Sequence, residues 1–570
     1  MLRTSLPDRS MTTRRYAAAC LACALIACSG DKTGSKATGD FGGTVVISSA
    51  GEPDFLIQPL ITTTASKAVT DQIFLPLAEL GPKMDAMGDS GFEPRLARRW
   101  TWGADSLSIS FELDPRARWH DGVPVRAADV KLGYELLADT LVHSPQAANI
   151  AELDSVTVRD SLTAVFWFRR RSLDQFFIAA YNVIPLPQHL LGSVKRGELR
   201  SEAFAKTPVG NGPFRFVRWV PTQLLEIVAD TVHFLGRPKL DRVVMSFAAD
   251  PTTAVTRVLA GEADFIEVVR GDQLAQAEKS PMLQTKVYGG LDYAFLQFNL
   301  RDPKRHAAPN ALFADRALRH ALAMSIDRPA VLKNVYDSLA TVPFGPAPRS
   351  LGIADTNIKQ LPYDTAAAKR MLDSLGWRDT NGDGIRDRRG VPLRFAVALP
   401  VSSRPRQRMA VLLQEQFKRV GVDITIDQLD LNTMVGKLMG RDFEAVLMSW
   451  HPDPSPSTIR QTWTTTASRE KGGVNFGSYE SPVFDARIDS AISAHSVEEA
   501  RGLYHRAYQT FVDDQPVILL YEPNLVAAAS KRIHLPNFRP DAWWAGLRDW
   551  YIPADQRIDR DRLGLGRAAK

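Results

Sequence analysis

Cysteine is nearly absent from this chain. There are three in 570 residues, Cys20, Cys23 and Cys28, all at the N-terminus. No disulfide can form downstream of them, so the fold must rest on its core, and a chain this long buries most of its surface. The ten histidines include no H-x-x-x-H pair, which argues against a protein-encoded zinc site. P-loop, G-x-S-x-G and strand-borne G-x-G-x-x-G motifs are all missing, so an enzyme reading has no positive feature and no catalytic residue is expected. Long apolar runs are missing too. The best, residues 16–27, would rise only about 18 Å as a helix, too short for a bilayer core of roughly 30 Å. Charge of one sign is also lacking. The formal +6 falls to near +3 without residues 1–27, where Arg3, Arg9, Arg14 and Arg15 oppose Asp8. That balance argues against a nucleic-acid partner.

What is present begins with a leader. Arg14-Arg15 precede the short apolar run, as in a secretory signal peptide spanning 1–27. Leu25-Ile26-Ala27-Cys28 looks like a lipobox, with Cys28 lipidated and residues 28–40 as a polar tether. Ordinary cleavage after a small residue is the alternative, and Met11 is a second candidate start. An envelope location outside the cytoplasm follows, with the holding membrane open: Ser29 is not the Asp that retains many such proteins at the inner membrane.

The most informative stretch is 107–130. Leu107, Ile109, Phe111 and Leu113 alternate as a half-buried strand. Asp114-Pro115 and Asp121-Gly122 turn the chain, and a helix opens at Ala127 with Asp129 near its positive end. His120-Asp121 could suggest a general-base pair, but chain neighbours do not face each other and no nucleophile accompanies them. Four more elements follow: Pro208-Val209-Gly210-Asn211-Gly212-Pro213-Phe214, Gly261-Glu262-Ala263-Asp264, the run from Arg316 to Arg328, and Tyr363-Asp364 with Leu372 to Trp377. In this order they resemble the family 5 extracytoplasmic solute-binding proteins, the oligopeptide, dipeptide and nickel receptors of ABC importers, across nearly the whole mature chain.

The residues themselves give α/β character. Asp250-Pro251 start a helix that ends near Gly261, before an apolar strand at 265–269. Asp364 caps a helix with Ala368, Met371, Leu372 and Leu375 on one face, and Met409, Leu412, Leu413, Phe417 and Val420 repeat the pattern before Gly421. Strands at 422–426 and 443–450 follow, and such alternation implies parallel sheets. The resemblance implies a two-lobed Venus-flytrap with mixed sheets: lobe one from 41–82, 206–297 and 520–556, an inserted subdomain at 83–205, lobe two at 298–519 and a basic tail at 557–570. It also implies a monomer that delivers a small solute to an ABC permease. A sensor of the same fold, or a receptor for a nickel chelate, haem or an oligosaccharide, remains open.

Two constellations could carry binding chemistry. Trp450-His451-Pro452-Asp453-Pro454 leaves a strand end, where open α/β sheets place ligand groups. The resemblance implies that Asp453 pairs with a ligand α-amino group, beside Trp450 and His451; an Asp in a proline-rich turn is the alternative. It likewise implies that Arg404 binds a ligand carboxylate through its planar fork, although Arg406 and Arg408 compete and a solvated basic loop is equally compatible. Trp119 and Trp219, like Trp450, are either cleft walls or core. The loop at 379–387 places oxygen ligands at positions 1, 3 and 5 and Gly384 at 6, as in an EF-hand, but position 12 is Gly390, so no metal or other cofactor is expected.

Overall fold

The computed structural model describes residues 41–470 and 472–563. The leader, Cys28, the tether at 28–40 and residues 564–570 of the tail lie outside the described residues. Among those described, no helix is long and apolar enough to cross a membrane.

A sheet of twelve strands runs through both lobes. The lobe-one half centres on Thr44–Ser49, paired in parallel with Arg242–Phe247 and with the short Phe265–Ile266. Leu224–Ala229 and Phe214–Val220 extend it antiparallel. In lobe two, Arg394–Pro400 lies parallel to both Asp423–Leu429 and Ala445–Trp450, and Tyr293–Phe298 joins antiparallel. Both halves are therefore mixed, as expected. The strand foreseen at 265–269 is shorter than its apolar run: only Phe265 and Ile266 pair in register, with Ala529 and Ala528, and Val269 N then donates to Val526 O at 2.8 Å.

Two adjacent segments carry the chain between the lobes. Val517–Ser530 pairs with Tyr293–Phe298 through its first half and with Leu283–Gly289 through its second. Where it crosses, Glu522 and Pro523 pair with Thr341 and Ala340. Glu522 is 5% exposed; its Oε2 accepts a 3.2 Å hydrogen bond from the Arg349 backbone, and its Oε1 has no partner. Burial drives this carboxyl up to about 7, against the pull of Arg349.

The inserted subdomain is a four-stranded antiparallel sheet, in the order Ala97–Trp102, Ser108–Leu113, Thr163–Phe168, Leu153–Asp160, with helix Ala127–Ala138 across it. Asp129 ties this unit together, accepting from Trp119 Nε1 (3.1 Å), Arg126 N (2.7 Å) and Gln188 N (2.7 Å). His120 does not face Asp121. Its Nδ1 accepts from Gly210 N (3.2 Å) and its Nε2 lies 2.9 Å from Gly212 O, a pairing that requires the neutral Nε2–H tautomer. Burial lowers its pKa accordingly, while Asp121 pairs with His189 at 2.7 Å.

The glycines of that motif have a steric reason. A Cβ on Gly210 would sit 2.0 Å from Ile73 O, and one on Gly212 2.4 Å from Gln72 O. The close approach lets the backbone of Asn211 and Gly212 cap Ile73 O at 3.0 and 2.7 Å, closing helix Thr64–Ile73. Other motif residues are equally structural. Buried Asp264 accepts from Val46 N at 2.8 Å and from Arg532 Nε at 2.9 Å. Arg319 donates to the Phe313 and Gln515 carbonyls at 2.6 and 2.9 Å. Asp364 caps Thr365–Ser374 as foreseen, and Trp377 is buried beneath Arg388. The lobe-two core is built on Phe298, Phe313, Phe395 and Phe417, each worth about 1.5–3 kcal/mol when fully buried.

Candidate functional site

Strand Ala445–Trp450 is apolar because both its faces are covered, and it ends at the cleft between the lobes. The chain then enters the Pro452 and Pro454 loop, whose fixed φ angles present Asp453 away from the sheet. Asp453 borders three adjoining cavities, of about 280, 570 and 180 Å³. Its side chain is accessible from the cleft, yet protein surrounds it on most sides. That enclosure raises its pKa, and His451 and Lys67 pull it partly back. His451 Nδ1 lies 3.4 Å from Asp292 Oδ1. That contact, opposed by burial and reinforced by Asp453 and Glu267, raises the imidazole pKa. Trp450 stacks on Phe476 at 5.8 Å and walls the smallest cavity with Tyr293 and Tyr508.

Helix Thr64–Ile73 supplies the facing wall. Thr63 accepts from Ser66 N at 3.1 Å to start it. Lys67, Thr70, Asp71 and Phe74 then fall on the cavity side at helical spacing. Lys67 Nζ is 2.9 Å from Asp71 Oδ2 and 5.0 Å from the Tyr181 ring centroid. Burial opposes the charge on Lys67, but Asp71, Tyr181 and Glu79 together hold its pKa above the ordinary lysine range. Asp71 also accepts from Trp544 Nε1 at 2.8 Å, so the cation is held by a fixed carboxylate. Asn149, Asn182 and Asp541 complete a polar rim on a partly apolar chamber, the composition of a small-molecule site.

Trp450, His451 and Asp453 thus share one site with Lys67 and Asp71. Arg404 does not join them: it is the exposed first residue of helix Arg404–Lys418 and borders none of these cavities. Its neighbour Arg406 reaches Ser449 Oγ at 2.8 Å, one residue before Trp450. Trp119 is core at 2% exposure. Trp219 is half-buried and donates to Glu52 at 2.8 Å. In the loop at 379–387, Asp379 accepts from Gly382 N and Gly384 N at 2.7 and 2.9 Å, and Asp387 from Thr380. Those carboxylates are engaged by their own loop.

Sequence reasoning missed Lys67, Asp71 and Tyr181. The Lys67–Asp71 pair at i, i+4 was visible in the sequence, but such pairs are common on solvated faces. Only the fold turns this one inward.

Residues 91–471 match the family described as "Bacterial extracellular solute-binding proteins, family 5 Middle". The chain is 27% identical over 543 residues to the oligopeptide-binding protein AppA of Bacillus subtilis, covering 93% of this chain and 97% of that protein. It is 25% identical over 485 residues to heme-binding protein A of Haemophilus influenzae, covering 80% and 82%. Among solved structures, B. subtilis AppA in complex with a nonapeptide superposes with a TM-score of 0.71 at 25% identity, over 90% of this chain and 99% of that one. Campylobacter jejuni NikZ with Ni(L-His) superposes at 0.71 and 23%, over 89% and 99%. By its matched domain, its near full-length relatives and its two-lobed fold, the chain belongs to the family 5 bacterial extracellular solute-binding proteins.

Proposed function

We propose that the cleft captures a peptide through its free N-terminal ammonium, with Asp453 as the acceptor, and that the protein delivers it to the permease of an ABC importer. Asp453 carries this reading. It is a carboxylate on a stiff loop at a strand end, bordering all three of the adjoining cavities described above and lacking a cation within ion-pair distance among the described residues. An ammonium placed there would gain a charge-assisted hydrogen bond to a carboxylate that protein surrounds on most sides. Lys67 on the facing wall suits a backbone carbonyl or carboxylate of the same ligand. The relatives named for oligopeptide binding support the same class. Closure would bend the chain at its two crossings, the link from Leu283–Gly289 to Tyr293–Phe298 and the strand Val517–Ser530 at Glu522, with ligand favouring the closed state through contacts to both walls. Cys28 would hold the receptor at a membrane surface through acyl chains.

Isothermal titration with a tetrapeptide and its N-acetylated form tests this. Acetylation should weaken binding by roughly two decades or more, the cost of losing a buried ion pair. Equal affinities would exclude the ammonium contact.

A further inference from the structure

One buried carboxyl beside the cleft is left unexplained by N-terminal capture. Asp174 precedes the short helix Gln175–Ala180, makes no side-chain cap to it, and is 4% exposed. Its Oδ1 has no hydrogen-bond partner. It lines the cavity of about 570 Å³ that lies between the inserted subdomain and lobe two and continues to Asp453.

The charges in that chamber are unevenly satisfied. Arg170 grips Glu152 through two hydrogen bonds of 2.6 and 2.5 Å, and Arg460 sits 3.5 Å from Asp489. Both cations are therefore spent. Burial, opposed by the hydroxyls of Ser457 and Ser455 and reinforced by Glu152, governs Asp174, and no cation acts on it. The amides of the lining show the same bias. Asn149 Nδ2 donates to Gln146 Oε1 at 2.9 Å and Asn182 Nδ2 to Asn149 O at 3.3 Å, which engages one donor of each amide and leaves both side-chain oxygens as acceptors. A chamber with open amide oxygens and a buried carboxyl that no cation balances, its Oδ1 without a partner, is matched to a cation that brings several donors.

We propose that this chamber is a subsite for a basic side chain of the captured peptide, with Asp174 accepting from a lysine ammonium or an arginine guanidinium. The inference rests on the peptide reading above and narrows it to ligands with a basic residue near the N-terminus. It is tested by titrating the full protein with a neutral tetrapeptide series in which lysine or its uncharged isostere norleucine is moved through the first three positions. At one position lysine should bind about tenfold tighter than norleucine, the worth of a charge-assisted bond over a neutral one. In Asp174→Asn the two should come within about twofold while the norleucine peptide keeps its affinity, since Asn preserves size but not charge. No lysine advantage at any position in the native protein overturns the subsite without needing the variant, and leaves peptide capture standing. So does an advantage that survives in Asp174→Asn. Failure of both series to bind overturns peptide capture and the subsite together.

Discussion

Replacing Asp453 by Asn removes the charge at the centre of the cleft while keeping its size and part of its hydrogen bonding. Protein packs around the carboxylate while leaving it open to the cleft, and His451 and Lys67 act on it from a distance. In the complex proposed above, the peptide ammonium would be its direct partner. Removing one member of such a pair costs about 3–5 kcal/mol, or roughly two to four decades in Kd. Stability should move differently. Because enclosure raises the Asp453 pKa, its ionised form is disfavoured by folding, and the stability associated with it is lost as pH rises through the folded value. The Asn variant should therefore melt at or slightly above the native temperature at neutral pH. Titration of the free and N-acetylated tetrapeptides against both proteins completes a double-mutant cycle. The free peptide should lose its advantage over the acetylated one in the variant. An Asn variant within about threefold of native affinity, or an equal loss for both peptides, would refute the reasoning.

Glu522→Gln tests the buried carboxyl where the long strand crosses between the lobes. The rise from 4.5 to about 7 corresponds to about 3 kcal/mol of stability that is present below pH 4.5 and lost as pH climbs through 7; denaturant melts between pH 4 and 8 should show this slope in the native protein and not in the variant. Gly210→Ala should destabilise by about 1–3 kcal/mol or more, because its methyl group would overlap Ile73 O and overpacking of this kind strains the backbone, and thermal unfolding would measure it. Cys28→Ser should abolish membrane partition, since acyl chains contribute about 0.8 kcal/mol per buried CH₂; unchanged partition on fractionation would reject lipidation.

Local chemistry made much of the fold legible. Caps at Asp250 and Asp364, stop glycines at 261, 376 and 421, and the apolar strand before Trp450 are all written in neighbouring residues, and they appear where periodicity places them. The five motifs marked the family, although in the structure their polar residues serve packing: His120 fixes Gly210, Asp264 holds the first strand, and Arg319 ties a helix to the Gln515 turn. The position of Asp453 at the cleft was legible because a strand end announces it. Arg404 had the right neighbours in sequence but begins a helix on the exposed side. Tyr181 and Asp174 had no local signal, since Tyr181 meets Lys67 and Asp174 meets Ser455 and Ser457 across more than a hundred residues of chain, and the Lys67–Asp71 pair gave a local signal that a solvated helix face would give equally. The long strand Val517–Ser530 was equally hidden. Its continuity through Pro523 depends on the partners it finds in both lobes.

The most direct test is mass spectrometry of whatever the protein retains when purified under native conditions from cells grown in a peptide-rich medium. The account predicts a mixture of short peptides with unmodified amino termini, lost from the Asp453→Asn variant. Retention of a non-peptide solute, held equally well by that variant, would contradict it.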